Sequence, residues 1–93
     1  MMKYKIVFQN AMRRCVKLMR KCGKDIKKLE EVIQTLSSGE TLNEKYFDHP
    51  LMGKYKGYRE CHIEPDWLLI YKIENDILTL VLISTGTHSD LFS

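Results

Sequence analysis

With 93 residues, 44% of them hydrophobic and 29% charged, the chain has the length and balance of one globular domain around one core, which excludes disordered and collagen-like classes. No apolar run approaches the ~20 residues that span a bilayer, and residues 1–8 lack an apolar h-region and a small-residue cleavage site, so neither a membrane segment nor a secretory signal is expected. The net charge is only +3, and the three cysteines (Cys15, Cys22 and Cys61) form no CxxC pair, which argues against a disulfide framework and for a reducing, cytoplasmic setting.

Residues 3–8 alternate as a strand does, with Tyr4, Ile6 and Phe8 on one face. From Asn10 the period changes. Met12, Cys15, Val16, Met19 and Cys22 recur at three- and four-residue steps, the stripe of an amphipathic helix, with Asn10 placed to cap it and Gly23 to end it. Asp25 is placed to cap a second helix whose stripe is Ile26, Leu29, Val32, Ile33 and Leu36, stopping near Ser38-Gly39. So short a joint predicts an αα-hairpin. Residues 40–57 sustain no period and hold Pro50, Gly53 and Gly57, so they read as an ordered loop of a length that is often functional. Three strands follow, at 58–63, 67–73 and 77–83, joined by a turn at Glu64-Pro65-Asp66 and a hairpin turn at Asn75-Asp76. Leu68-Leu69-Ile70 and residues 77–83 are apolar on both faces apart from Thr79, as expected of central strands covered on both sides. The order predicts a single α+β domain over residues 1–93. It comprises an N-terminal strand, an αα-hairpin, and a three-stranded antiparallel meander that completes a sheet with the helices on one face.

Charge is unevenly spread. Residues 1–28 hold ten basic residues and one acid, Asp25, whereas residues 29–93 hold five basic residues and eleven acids. A basic front half suits an anionic partner, nucleic acid being the commonest, but a solvated lysine-rich helix face explains the charge equally well.

Side chains with chemical use gather late in the chain: His49, His62, Asp66, Trp67, His88 and Asp90. If the turn at Asp66 and the end of the last strand share one edge of the sheet, they converge. Each also has a plain reading: a structural histidine, a core tryptophan, a turn aspartate. The histidine spacing is not that of a zinc finger or ribbon, and Cys61 has opposite parity to His62, so no metal or other cofactor is expected. Ser89 and Cys61 lack the context of an activated nucleophile.

Three strings carry more information. They are Asp48-His49-Pro50-Leu51, then Tyr58-Arg59-Glu60-Cys61-His62-Ile63-Glu64-Pro65-Asp66-Trp67-Leu68-Leu69-Ile70-Tyr71, then Thr85-Gly86-Thr87-His88-Ser89-Asp90-Leu91-Phe92. With Gly39-Glu40-Thr41-Leu42 they resemble the YafQ-type toxins of the RelE/ParE toxin–antitoxin superfamily, over nearly the whole chain. The resemblance implies a RelE-like fold, an endoribonuclease that cuts messenger RNA in the ribosomal A site, and a cognate ribbon-helix-helix antitoxin. Operator DNA would be met only through the antitoxin complex, and no membrane is involved.

By motif, the resemblance assigns catalysis to His49, His62, Asp66 and His88 and substrate contact to Trp67 and Phe92. Ser84 is a departure, since some relatives carry arginine there. Cleavage without a metal needs a base for the 2′-OH, an acid for the leaving 5′-oxygen and donors for the phosphorane. Imidazole, with an unperturbed pKa of about 6.5, serves as either acid or base. The roles expected are Asp66 as general base, exchangeable with a histidine, His88 as general acid, and His49 and His62 as phosphate donors. Trp67 and Phe92 would stack a splayed base. Arg59, at opposite parity to His62, should face away. Arg13, Arg14, Lys17, Arg20, Lys21, Lys24, Lys27 and Lys28 would then dock on ribosomal RNA. The rivals are a ParE-like gyrase poison and a non-catalytic antitoxin-binding co-repressor; only the enzyme needs the placed histidines.

Overall fold

Glycine ends both helices by the same device. In a computed structural model that describes residues 3–85, the last two by backbone alone, helix α1 runs over Asn10–Lys21 and helix α2 over Ile26–Ser37. After α1, Gly23 takes φ +78° while its N–H donates to Arg20 O and that of Lys24 to Met19 O. After α2, Gly39 takes φ +77° while its N–H donates to Leu36 O and that of Glu40 to Thr35 O. Both are Schellman motifs, which need a left-handed residue and satisfy carbonyls the helix leaves over. Asp25 caps α2 as expected, accepting from Lys27 N at 3.1 Å. Asn10 does not cap α1. It is the first helical residue, and Gln9 holds the cap position without a side-chain bond.

Among the described residues the strands are β1 (Lys5–Phe8), β2 (His49–Pro50), β3 (Arg59–Glu64), β4 (Trp67–Glu74) and β5 (Ile77–Thr85), in the sheet order β1-β5-β4-β3-β2. β1 runs parallel to β5 and the other pairs are antiparallel. The α+β class and the meander are as expected, and β2 is an added edge strand inside the expected loop. Two residues are too few to show a period, and Pro50 belongs at such an edge. The β4–β5 hairpin turns on Asn75 and Asp76, at φ +54° and +62°, the positive pair a type I′ turn requires.

Two bulges decide which side chains reach the core. On β3 the register shifts between His62 and Glu64, and on the β4–β5 pair it shifts between Ile70 and Tyr71. The second leaves Val81 as an extra residue, so β5 sends Leu78 and Leu80 inward and then Ile83. The core formed under the helices contains Met12, Met19, Leu29, Val32 and Leu36 from the helices and Cys61, Ile63, Trp67, Leu69, Tyr71, Leu78, Leu80 and Ile83 from the sheet. Each large apolar group so placed contributes about 1.5–3 kcal/mol. Tyr4 and Ile6 pack against this core, but Phe8 and Cys22 are exposed. β4 is buried on both faces from Trp67 to Tyr71, whereas Thr79, Val81 and Leu82 of β5 are only half-buried. No helix of the described residues is long and apolar enough to cross a membrane. His88, Ser89, Asp90 and Phe92 lie outside the described residues.

Candidate functional site

The chain enters the β2 edge through an anchored aspartate. Asp48 Oδ1 accepts a hydrogen bond from the Tyr71 hydroxyl at 2.6 Å and another from Arg59 Nε at 3.2 Å. Burial, then the bond to Asp48, pushes the Tyr71 phenol pKa up, so the hydroxyl stays a donor. Arg59 stands opposite Tyr71 across the β3–β4 pair, at the parity that takes it away from His62. The residue before His49 is thereby fixed.

His49 pairs with Glu60 across β2–β3, and Glu60 shares a strand face with His62 two residues on. Three side chains therefore meet. Glu60 is 0% exposed, and its Oε1 lies 3.6 Å from His49 Nε2 and 3.4 Å from His62 Nε2. At the other nitrogen each ring meets a main-chain carbonyl: His49 Nδ1 is 2.6 Å from Phe47 O, and His62 Nδ1 is 3.3 Å from Pro65 O. A carbonyl can only accept, so each ring is placed to donate Nδ1–H to its carbonyl, while its Nε2 faces Glu60 at ion-pair rather than hydrogen-bond distance. Taking a carboxylate wholly out of water is costly unless it is paired, and the two rings supply that pairing.

The imidazole centroids are 6.3 Å apart, and the Phe47 ring stands edge-on to His62 at 5.9 Å. Beside them opens a cleft of about 890 Å³, whose walls include Lys28, Lys45, Phe47, His49, His62 and Pro65. The arrangement offers two imidazole rings to an open cleft bordered by Lys28 and Lys45 and also by Glu31 and Glu64. Among the described residues, no group of three or more His, Cys, Asp or Glu side chains is arranged to hold a metal ion.

Of the expected site residues, His49 and His62 come together. Asp66 does not join them at the cleft. It sits in the β3–β4 turn with a side chain 68% exposed, its Oδ1 3.9 Å from Lys24 Nζ. Trp67 corrects an expectation: it is 0% exposed, on the core side of β4 with Leu69 and Tyr71, and offers no face to a nucleobase. The apolar run Trp67–Tyr71 is buried on both faces, and the indole fills the end of the core below Lys24, whose Nζ is 5.8 Å from the ring centroid. Cys61 is likewise a core residue; burial pushes its thiol up, away from the nucleophilic thiolate.

Of the basic residues, Lys24 and Lys28 pair with Glu64 at 3.9 and 3.5 Å, while Arg13, Arg14, Lys17, Arg20, Lys21 and Lys27 are exposed. Glu60 and the Asp48–Tyr71 pair escaped the reading of the sequence. The available signal was a carboxylate inside a β-strand, two residues from a histidine and therefore on its face.

Comparison with known proteins agrees with this architecture. The family described as the bacterial toxin of a type II toxin–antitoxin system, YafQ, matches residues 4–93. The chain is 46% identical over 78 residues to the mRNA interferase toxin YafQ of Escherichia coli strain K12, a match that covers 83% of each. Its fold is similar to a chain in the crystal structure of the E. coli DinJ–YafQ toxin–antitoxin complex, with a TM-score of 0.86, 39% identity and coverage of 98% of this chain and 99% of that one. It is also similar to a metal-bound toxin from Helicobacter pylori, with a TM-score of 0.85, 39% identity and coverage of 99% and 100%.

Proposed function

The chain belongs to the YafQ family of bacterial type II toxin–antitoxin toxins, and from that premise we propose that it is an mRNA interferase, an endoribonuclease that cuts messenger RNA in the ribosomal A site. The observation that carries the reading is the convergence of His49 and His62 on one oxygen of the buried Glu60, beside an open cleft. In this reading the 2′-oxygen attacks the adjacent phosphorus as the bond to the 5′-oxygen breaks. His49 and His62 donate to the charged phosphorane, the kind of aimed electrostatic help that a transition state uses best. Asp66, in the turn just after the cleft-lining Pro65, or a histidine in exchange takes the 2′-OH proton, and His88 protonates the leaving 5′-oxygen, general acid–base assistance worth roughly 10²–10⁴-fold. A carboxylate is a weak base, so the ribosome has to hold the 2′-OH in line, and such positioning supplies several kcal/mol.

The exposed cations of α1 and the joint, with Lys24, Lys27 and Lys28, dock on ribosomal RNA through phosphate contacts, which makes activity fall as salt rises. A ribbon-helix-helix antitoxin covers the toxin and carries the pair to operator DNA; the relative crystallised with DinJ supports an antitoxin partner. The test is purified chain, stripped of zinc, added to the same message free and on translating ribosomes. Cleavage on ribosomes and little on free RNA is the expected result. Equal cutting of both refutes ribosome dependence, and activity recovered only on adding zinc refutes the acid–base assignment.

A further inference from the structure

We propose that Phe47 is a nucleobase platform of the cleft, contacting the RNA beside the phosphate that is cut. The inference rests on the mRNA-cleavage reading above and adds a substrate contact to it. Phe47 combines two properties that rarely coincide in a bulky residue. Its backbone is left-handed, at φ +48° and ψ +43°, and its side chain is 68% exposed.

The backbone has a task there, since the Phe47 carbonyl accepts from His49 Nδ1 at 2.6 Å. Glycine would aim the same carbonyl without the clash that a Cβ brings to this conformation. The task therefore explains the φ angle and leaves the phenyl ring unexplained. Nor does burial explain the ring. It touches His62 edge-on, at 5.9 Å and 78°, and leaves most of its surface to solvent. Single exposed apolar side chains are ordinary, and Met52, at 82%, is one. Phe47 differs in its backbone strain and its contact with an imidazole of the site.

An exposed aromatic face beside a polyanion site suits a base of any identity, because every base has a π-face. Lys28 and Lys45 line the same cleft and suit the flanking phosphates; Glu31 and Glu64 line it too, the latter already paired with Lys28 at 3.5 Å. Trp67 is in the core, and Tyr46, which also lines the cleft, is half-buried against that core, so Phe47 is the most exposed aromatic side chain of the cleft.

The test compares Phe47→Gly, Phe47→Leu and Phe47→Trp in the full chain. Gly and Leu are expected to lower kcat/KM on ribosome-bound message by about tenfold, mainly through KM, with thermal stability unchanged or raised for Phe47→Gly. Phe47→Trp is expected to restore cleavage relative to Phe47→Gly, and the introduced indole fluorescence should be quenched by a short RNA oligonucleotide. A folded Phe47→Gly protein that cleaves as well as active wild type overturns the proposal. Unimpaired cleavage with lost antitoxin binding overturns it in favour of a protein contact. Inactive wild type refutes the cleavage reading instead, and the quenching arm then decides the platform alone: quenching supports it and its absence overturns it.

Discussion

His62 and Glu60 stand two residues apart on β3, and His62 Nε2 lies 3.4 Å from a carboxylate that is 0% exposed. Since His49 reaches the same oxygen, one carboxylate sets the orientation of both rings. Glu60→Gln keeps the shape and removes the charge. Cleavage should fall at least about tenfold, part of the roughly 10²–10³-fold that losing one aimed transition-state donor costs, while the protein stays folded. Single-turnover cleavage with a matched thermal melt checks this, and undiminished cleavage would show that the rings need no clamp.

The anchor beneath His49 is testable by stability. Tyr71→Phe removes the hydroxyl that donates to Asp48 at 2.6 Å and leaves Arg59 as its partner. A bond to a charged acceptor is worth about 1.5–3 kcal/mol, so urea unfolding should show a loss of that order. Cleavage should fall as well, because Asp48 precedes His49 in the chain.

Alkaline pH should unfold the protein early. The Tyr71 and Cys61 pKa values are both raised in the fold, mainly by burial. A raised folded-state value means stability that is complete below the unfolded value and lost as pH climbs toward the folded one. With unfolded values of about 8.5 for cysteine and 10 for tyrosine, unfolding free energy should decline from about pH 8.5 upward. Tyr71→Phe should flatten the part above pH 10. A wild-type profile that is level or rising from pH 8.5 to 11 would contradict the burial of these groups.

The helices, their glycine ends and the Asn75-Asp76 hairpin were legible because each rests on local chemistry: a 3.6-residue stripe, a left-handed glycine, a turn pair that tolerates positive φ. β2 was not, because His49-Pro50 is recognised as a strand only by its partner β3. The bulge at Val81 switches the inward set from Leu78 and Leu80 to Ile83, and in a run apolar on both faces no pattern reveals the switch. The histidines stood out by residue type. Glu60 did not, since its role depends on a cross-strand register that brings His49 to it. Trp67 read as a substrate face through its motif, whereas its place in a strand buried on both sides assigns it to the core.

The segment after β5 separates an enzyme from a binding module. Removing residues 88–93 takes away His88 and Phe92. The truncated chain should stay folded with at most a modest loss of stability, since the core residues of the described chain all precede residue 84. It should still bind its antitoxin yet fail to arrest growth. His88→Ala should behave alike with a smaller stability loss. Growth, message cleavage and antitoxin pull-down check it, and a folded, fully toxic His88→Ala protein would place the proton transfer elsewhere.

The most direct measurement is primer extension on a translated message treated with wild type and with the His49→Ala/His62→Ala double variant, both shown to be folded. The account predicts breaks in ribosome-bound message with wild type, reduced at least about 100-fold in the double variant because the phosphate loses both donors. Breaks of equal strength with the two proteins would contradict it.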